Sequence, residues 1–161
     1  FNERYGKVFP EPDALLTATP EVPGLDGRKM SKSYGNAISL GMSPDETTQV
    51  IRRTTTDSER RITFDPRSRP GISALLSTAA LCLGEAPESI ADGLGDAGSG
   101  ALKKLTSDAV NDFLAGHRER RADLSKDPAL VREILKRGNE RANHEANQTL
   151  DEVRMVMGTH Y

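Results

Sequence analysis

Ser43-Pro44-Asp45-Glu46 is where the sequence changes its grammar. Ser43 is suited to cap a helix, Pro44 to occupy the first helical position, and Glu46, three residues beyond the serine, to close a capping box. A helix is predicted from there to about Thr55. Upstream, from Phe1 to Leu40, Pro10, Pro12, Pro20, Pro23, Gly24, Gly27 and Gly35 punctuate short strand-like runs such as Ala14 to Thr17. That pattern belongs to loops and strand edges and does not build a core of its own.

Downstream the pattern is helical. Ile72, Leu75, Leu76, Ala79, Ala80 and Leu83 recur at helical spacing after Pro70-Gly71, and Gly84 ends the run. Gly93, Gly95, Gly98 and Gly100 predict a loop region from Gly84 to Gly100, with room for a short helix at Pro87 to Ala91. The stripe resumes with Leu102, Leu105, Ala109, Phe113 and Leu114. Asp127-Pro128 then opens a last helix of about thirty residues bearing Val131, Leu135, Thr149, Val153 and Val156. Gly138, Ala142 and Ala146 within it would let neighbouring helices approach closely, as in a bundle. The fold class predicted is mainly α: a loop-and-strand leader over residues 1–42, then an all-helical bundle over 43–161. No internal repeat or low-complexity tract interrupts it.

The totals narrow the function. The 161 residues include 22 basic and 24 acidic side chains, a net charge of −2, so nucleic-acid contact has to come from local patches. The single cysteine, Cys82, rules out an internal disulfide and a cysteine-built zinc site; its apolar context suits a buried, inert thiol in a reducing cytoplasm. No apolar run approaches the roughly 20 residues that cross a bilayer, and no basic-then-apolar leader opens the chain. The opening, Phe1 to Gly6, reads as the last turn of a helix stopped by glycine, and the first methionine is Met30, so the expectation is that sequence upstream has been cut away. His117, His144 and His160 have no serine or cysteine nucleophile at a catalytic spacing and read as surface or bundle histidines.

The chemistry is concentrated in Gly24 to Asn36, where Arg28, Lys29 and Lys32 and the hydroxyls of Ser31 and Ser33 lie between glycines with little apolar content to pack them. Lysine ammonium groups are compact, rotatable charges, and Lys29 and Lys32 flank Ser31 closely enough to converge on one triphosphate. Serine hydroxyls and backbone N–H groups complete such a cradle, and the loop is expected to be mobile. A solvated turn rich in lysine and serine has the same composition.

The string Lys29-Met30-Ser31-Lys32-Ser33, preceded by Gly24, Asp26 and Gly27, resembles the second signature of class I aminoacyl-tRNA synthetases. Phe1 to Phe9, Thr56 to Glu59 and Pro70 to Leu76 are similar, in order and spacing, to bacterial tryptophanyl-tRNA synthetases. The likeness covers essentially the whole chain. It is weaker between Gly84 and Gly100, and Tyr34-Gly35 stand where the family more often has aspartate and one further residue.

The resemblance implies that residues 1–42 end a Rossmann-type catalytic domain and that 43–161 form the tRNA anticodon-binding region. It implies that Lys29, Met30, Ser31, Lys32 and Ser33 bind ATP, and that Lys29 and Lys32 are the catalytic charges. These stabilise the departing pyrophosphate as tryptophan is adenylated with Mg2+ and passed to tRNA(Trp). It implies a cytoplasmic homodimer at full length, with no protein-bound metal. The family's first signature, a His-x-Gly-His type element, occurs nowhere among the histidines here, so the chain by itself is expected to be inactive in adenylation. A tyrosyl-tRNA synthetase, another class I adenylating enzyme, and a non-enzymatic helical RNA-binding module are the alternatives.

Two further sets have two readings each. Arg52, Arg53, Arg60, Arg61, Arg67 and Arg69 form either a solvated face or a track for tRNA phosphates. Asn139, Asn143 and Asn147, with Arg132 and Lys136 nearby, share one face of the last helix. They either face solvent and the bundle or, as the resemblance implies, read unpaired anticodon bases. Asp57 and Ser58 read as backbone caps at a hinge.

Overall fold

The capping box at Ser43 forms as the sequence predicts. In the computed structural model, which describes residues 1–16 and 22–159, Ser43 Oγ accepts from the Glu46 N–H at 3.2 Å and Glu46 Oε2 accepts from the Ser43 N–H at 2.7 Å. The element it starts ends at Arg52, short of the Thr55 expected. The helices are α1 (Asn2–Tyr5), α2 (Pro44–Arg52), α3 (Pro70–Leu83), α4 (Pro87–Leu94), α5 (Gly98–Ser125) and α6 (Pro128–Met157), with a 3-10 turn at Lys32–Tyr34. None of the described helices is long and apolar enough to cross a membrane.

The described chain is mainly helical and contains no strand; one isolated antiparallel bridge joins Pro23 and Lys29. The strand-like run expected at Ala14 to Thr17 is irregular over Ala14 to Leu16, and Thr17 lies outside the described residues. Leu15 is 99% exposed, and among the described residues no strand lies beside it to offer a ladder. The loop expected from Gly84 to Gly100 is mostly helix instead. Gly93 and Gly100 sit inside α4 and α5, while Gly84 and Gly95, with positive φ, close α3 and α4. Helix-disfavouring glycine costs about 1 kcal/mol, a weak effect that packing of Ile90, Ala91 and Leu102 into the core overrides.

The chain divides into two compact units. In the unit spanning residues 17–120, α2, α3, α4 and α5 enclose Ile51, Ile72, Leu75, Leu76, Ala79 and Leu102, all fully buried, with Leu25 reaching the same cluster from the loop. A polar seam fastens α5 to the start of α2. Arg118 donates to the Met42 carbonyl, to Asn111 Oδ1 and to Thr47 Oγ1 at 3.0, 2.9 and 2.9 Å, and Asn111 Nδ2 donates to the Pro44 carbonyl at 3.3 Å.

The other unit comprises residues 1–16 and 121–161. Gly6, with φ +92°, ends the single turn of α1 as the opening residues predict, and Asn2 Oδ1 caps the N–H groups of Val8 and Phe9. The long α6 is capped by Asp127 at one end and Gly158 at the other, and it buries no residue. The close helix approach expected at Gly138 is absent among the described residues, since an added Cβ there would meet nothing within 4 Å. Exposed Ile134, Leu135 and Met155 agree with that openness.

Candidate functional site

Gly24 to Asn36 is a loop closed at its base by backbone hydrogen bonds. The Leu25 N–H donates to the Asn36 carbonyl at 2.9 Å, Gly24 to the Arg28 carbonyl at 2.6 Å, and Gly27 to the Gly24 carbonyl at 2.9 Å. Gly27, at φ +77°, makes the turn that Asp26-Gly27 calls for, and a Cβ there would lie 2.9 Å from Pro70. Inside the loop, Asn36 Nδ2 donates to Asp26 Oδ1 at 2.7 Å and to the Lys29 carbonyl at 3.1 Å, while its Oδ1 accepts from the Ser31 N–H at 2.8 Å. Asn36 is 5% exposed.

Asp26 also accepts from Arg28, through the backbone N–H at 3.1 Å and Nε at 2.7 Å. The Asn36 carboxamide, first, and then Arg28 hold the Asp26 carboxyl down at about 2. Arg28 in turn lies over the Tyr34 ring, 5.2 Å from its centroid.

Of the residues singled out from sequence, Lys29, Lys32 and Ser33 are exposed, and Met30 and Ser31 are half-buried. Ser31 stands at the start of the 3-10 turn that carries Lys32, and its hydroxyl is 2.8 Å from that of Ser33. The arrangement presents two lysines and two hydroxyls on a frame whose backbone is fixed from beneath, which is what gripping phosphate oxygens requires. Asn36, the centre of that frame, ends the string read in the sequence, which gave it no role. It follows Gly35, a glycine with φ +65°.

An open pocket of about 290 Å³ adjoins the loop, lined by Asp26, Tyr34, Asn36, Arg53, Thr54 and Thr55 among others. Thr54 Oγ1 is buried and has no hydrogen-bond partner among the described residues. Among the described residues, no group of three or more histidine, cysteine, aspartate or glutamate side chains is arranged to hold a metal ion. Cys82 is half-buried, and burial pushes its thiol up from the ordinary value.

The arginine track separates into two kinds of residue. Arg52, Arg53, Arg60, Arg61 and Arg67 are exposed, whereas Arg69 is buried and belongs to the fold. Its guanidinium donates to both oxygens of Asp57, to the Arg61 carbonyl and to Thr63 Oγ1. Asp57 caps the Glu59 N–H as expected, and beyond that it is the counter-charge of Arg69. Lys103 and Lys104, missed from sequence, join Arg52 around an open hollow of about 330 Å³, with Lys103 Nζ donating to the Arg52 carbonyl at 3.1 Å.

Arg132, Lys136, Asn139, Asn143 and Asn147 are all exposed along α6. An open groove of about 460 Å³ on the same helix is lined by a different set: Ile134, Arg137, Gly138, Arg141, Ala142 and Glu145.

The chain belongs to the family of tRNA synthetases class I (W and Y), whose model matches residues 1–115. It is 37% identical over 98% of its length to the tryptophan–tRNA ligase of Aquifex aeolicus, covering 40% of that protein. To the tryptophan–tRNA ligase of Thermotoga maritima it is 36% identical over 98% of its length, covering 49%. The chain thus spans half or less of the length of these curated relatives. Among solved structures, tryptophanyl-tRNA synthetase from Campylobacter jejuni complexed with ADP and tryptophan superimposes with a TM-score of 0.71 at 27% identity, over 98% of this chain and 50% of that one. The enzyme from Mycoplasma pneumoniae gives 0.67 at 25% identity, over 87% and 44%.

Proposed function

We propose that the chain is the loop-bearing, anticodon-side part of a tryptophan–tRNA ligase. The parent enzyme joins tryptophan to ATP, releasing pyrophosphate, and passes the amino acid from the adenylate to the 3′ end of tRNA(Trp). The observation that carries this reading is the Lys29–Ser33 loop, braced by Asn36, in a chain whose relatives are named tryptophan–tRNA ligases. Residues 1–42 then end the catalytic domain and 43–161 form the tRNA-facing region.

In this reading Lys29 and Lys32 act by charge alone. Their ammonium groups meet the phosphate oxygens on which negative charge grows as pyrophosphate leaves, and stabilisation confined to that moment raises the rate, where uniform grip on ATP would only tighten binding. Ser31 and Ser33 add hydroxyl donors to the same oxygens. Mg2+, carried with ATP as part of the substrate, would neutralise part of the triphosphate charge. Arg132, Lys136, Asn139, Asn143 and Asn147 offer cations for phosphates and carboxamides for base edges along α6. No His-x-Gly-His element occurs among His117, His144 and His160, and in this reading the chain by itself does not carry out adenylation.

The test is pyrophosphate exchange by the full-length protein. Exchange that depends on tryptophan is the expected result; exchange with tyrosine and not tryptophan overturns the choice of amino acid. Exchange with none of the amino acids removes the enzyme reading.

A further inference from the structure

We propose that Asn36 is a positioning residue of the adenylation loop, fixing the backbone of Lys29 and Ser31 to the core before any nucleotide arrives; this rests on the ATP-handling reading above. Every polar atom of Asn36 on that side is used. Nδ2 donates to Asp26 and to the Lys29 carbonyl, Oδ1 accepts from the Ser31 N–H, and the main-chain carbonyl accepts from Leu25. Leu25 is 7% exposed and belongs to the hydrophobic cluster of α2, α3 and α5. A continuous mechanical path therefore runs from that core through Leu25 and Asn36 to both sides of Met30.

Ser31 starts the 3-10 turn that contains Lys32. Holding the Lys29 carbonyl and the Ser31 N–H with one carboxamide therefore sets where the two lysines leave the backbone relative to each other. Such pre-set spacing matters most for charges that must meet a transient arrangement of oxygens. Gly24 is part of the device, because a Cβ at that position would lie only 2.2 Å from Asn36 Nδ2. Side-chain size at position 24 and the carboxamide at position 36 exclude each other.

Two substitutions separate positioning from bulk. Asn36→Ala removes all three side-chain bonds. Asn36→Asp keeps the shape but loses both donors and sets a carboxylate against that of Asp26 and the Lys29 carbonyl. In the full-length protein, tryptophan-dependent pyrophosphate exchange by either variant is expected to fall about tenfold or more in kcat, with a far smaller change in KM for ATP. Asn36→Asp should regain rate as pH falls from 8 towards about 5.5, since two facing carboxylates raise one pKa and a shared proton restores a donor. Asn36→Ala should not.

A merely structural role would lower thermal stability and leave both the kcat–KM split and the pH profile unmoved. Unchanged kcat in both variants, or equal losses without recovery at low pH, overturns the proposal. Amide exchange at Ser31 reads the same bond without chemistry: protection in the wild type that is lost in Asn36→Ala supports the clasp, and an unprotected wild-type amide refutes it. Failure of the wild type to exchange pyrophosphate with protected Ser31 would sink the enzyme reading and not the clasp.

Discussion

Asp57 and Arg69 meet through two parallel hydrogen bonds, Nε to Oδ2 at 2.9 Å and Nη2 to Oδ1 at 2.6 Å. The guanidinium is buried, and its remaining N–H groups reach the Arg61 carbonyl and Thr63 Oγ1, so one side chain organises the whole crossing between α2 and α3. A lysine offers no planar fork. Arg69→Lys should therefore cost about 2 kcal/mol, read as a lowered urea midpoint with an unchanged slope. The hydrogen bonds from Arg69, first, hold the Asp57 carboxyl below its ordinary range. Its contribution is thus complete above the ordinary carboxylate value near about 4 and is lost as pH falls through the lower folded value. The stability gap between wild type and Asp57→Asn should be full at pH 7 and shrink below about pH 4.

Gly71 and Gly93 make a matched pair. A Cβ on Gly71 would lie 2.0 Å from the Thr55 carbonyl oxygen, a backbone atom that cannot swing aside, whereas one on Gly93 meets nothing within 4 Å. Gly71→Ala is expected to destabilise by about 2 kcal/mol or more, and Gly93→Ala, inside α4, to stabilise by about 0.5 kcal/mol. Thermal denaturation of the two variants with opposite signs is the check.

The capping box of α2 predicts a third effect. Ser43→Ala should cost about 1 kcal/mol by removing the acceptor of the Glu46 N–H. The Glu46 carboxyl is held low, first by the Ser43 backbone N–H, so its share is present above the ordinary glutamate value and fades as pH falls through the folded one. Glu46→Gln should blunt that acid dependence in urea titrations run from pH 6 to pH 3.

Asp26 offers a direct titration. Carbon NMR should find its carboxyl titrating at about 2 in the wild type, and moving back towards the ordinary range in Asn36→Ala, because the Asn36 carboxamide is the main cause of the depression. No movement would mean that Arg28 alone sets it.

For the reaction, Lys32→Ala in the full-length enzyme is expected to lower the adenylation rate about a hundredfold while changing ATP binding much less. Equal losses in rate and affinity would assign Lys32 to ground-state binding.

Local signals in the sequence carried as far as local physics does. The α2 cap, the glycine ends of α1 and α3, the stripe of α3 and the length of α6 all depend on residues within a few positions of one another, and all are legible. What depended on distant partners was not. Arg69 looks like any surface arginine until the chain folds Asp57, Arg61 and Thr63 around it, and Arg118 gives no hint of Met42 and Thr47, more than seventy residues away. Glycine propensity misled at Gly93 and Gly100, where tertiary burial of their neighbours decided the outcome. In the candidate site the lysines and serines were visible as a string that ends at Asn36; the bracing role of its carboxamide was not, because Asp26 and Lys29 meet it only once the loop has closed.

The loop from Gly24 to Asn36 also defines what could be moved to another protein. Transplanting Lys29 to Ser33 alone would carry the letters of the motif into a host that lacks the glycine, aspartate and asparagine fastening them. The smallest portable cassette runs from Gly24 to Asn36, and its host must supply an apolar socket for Leu25.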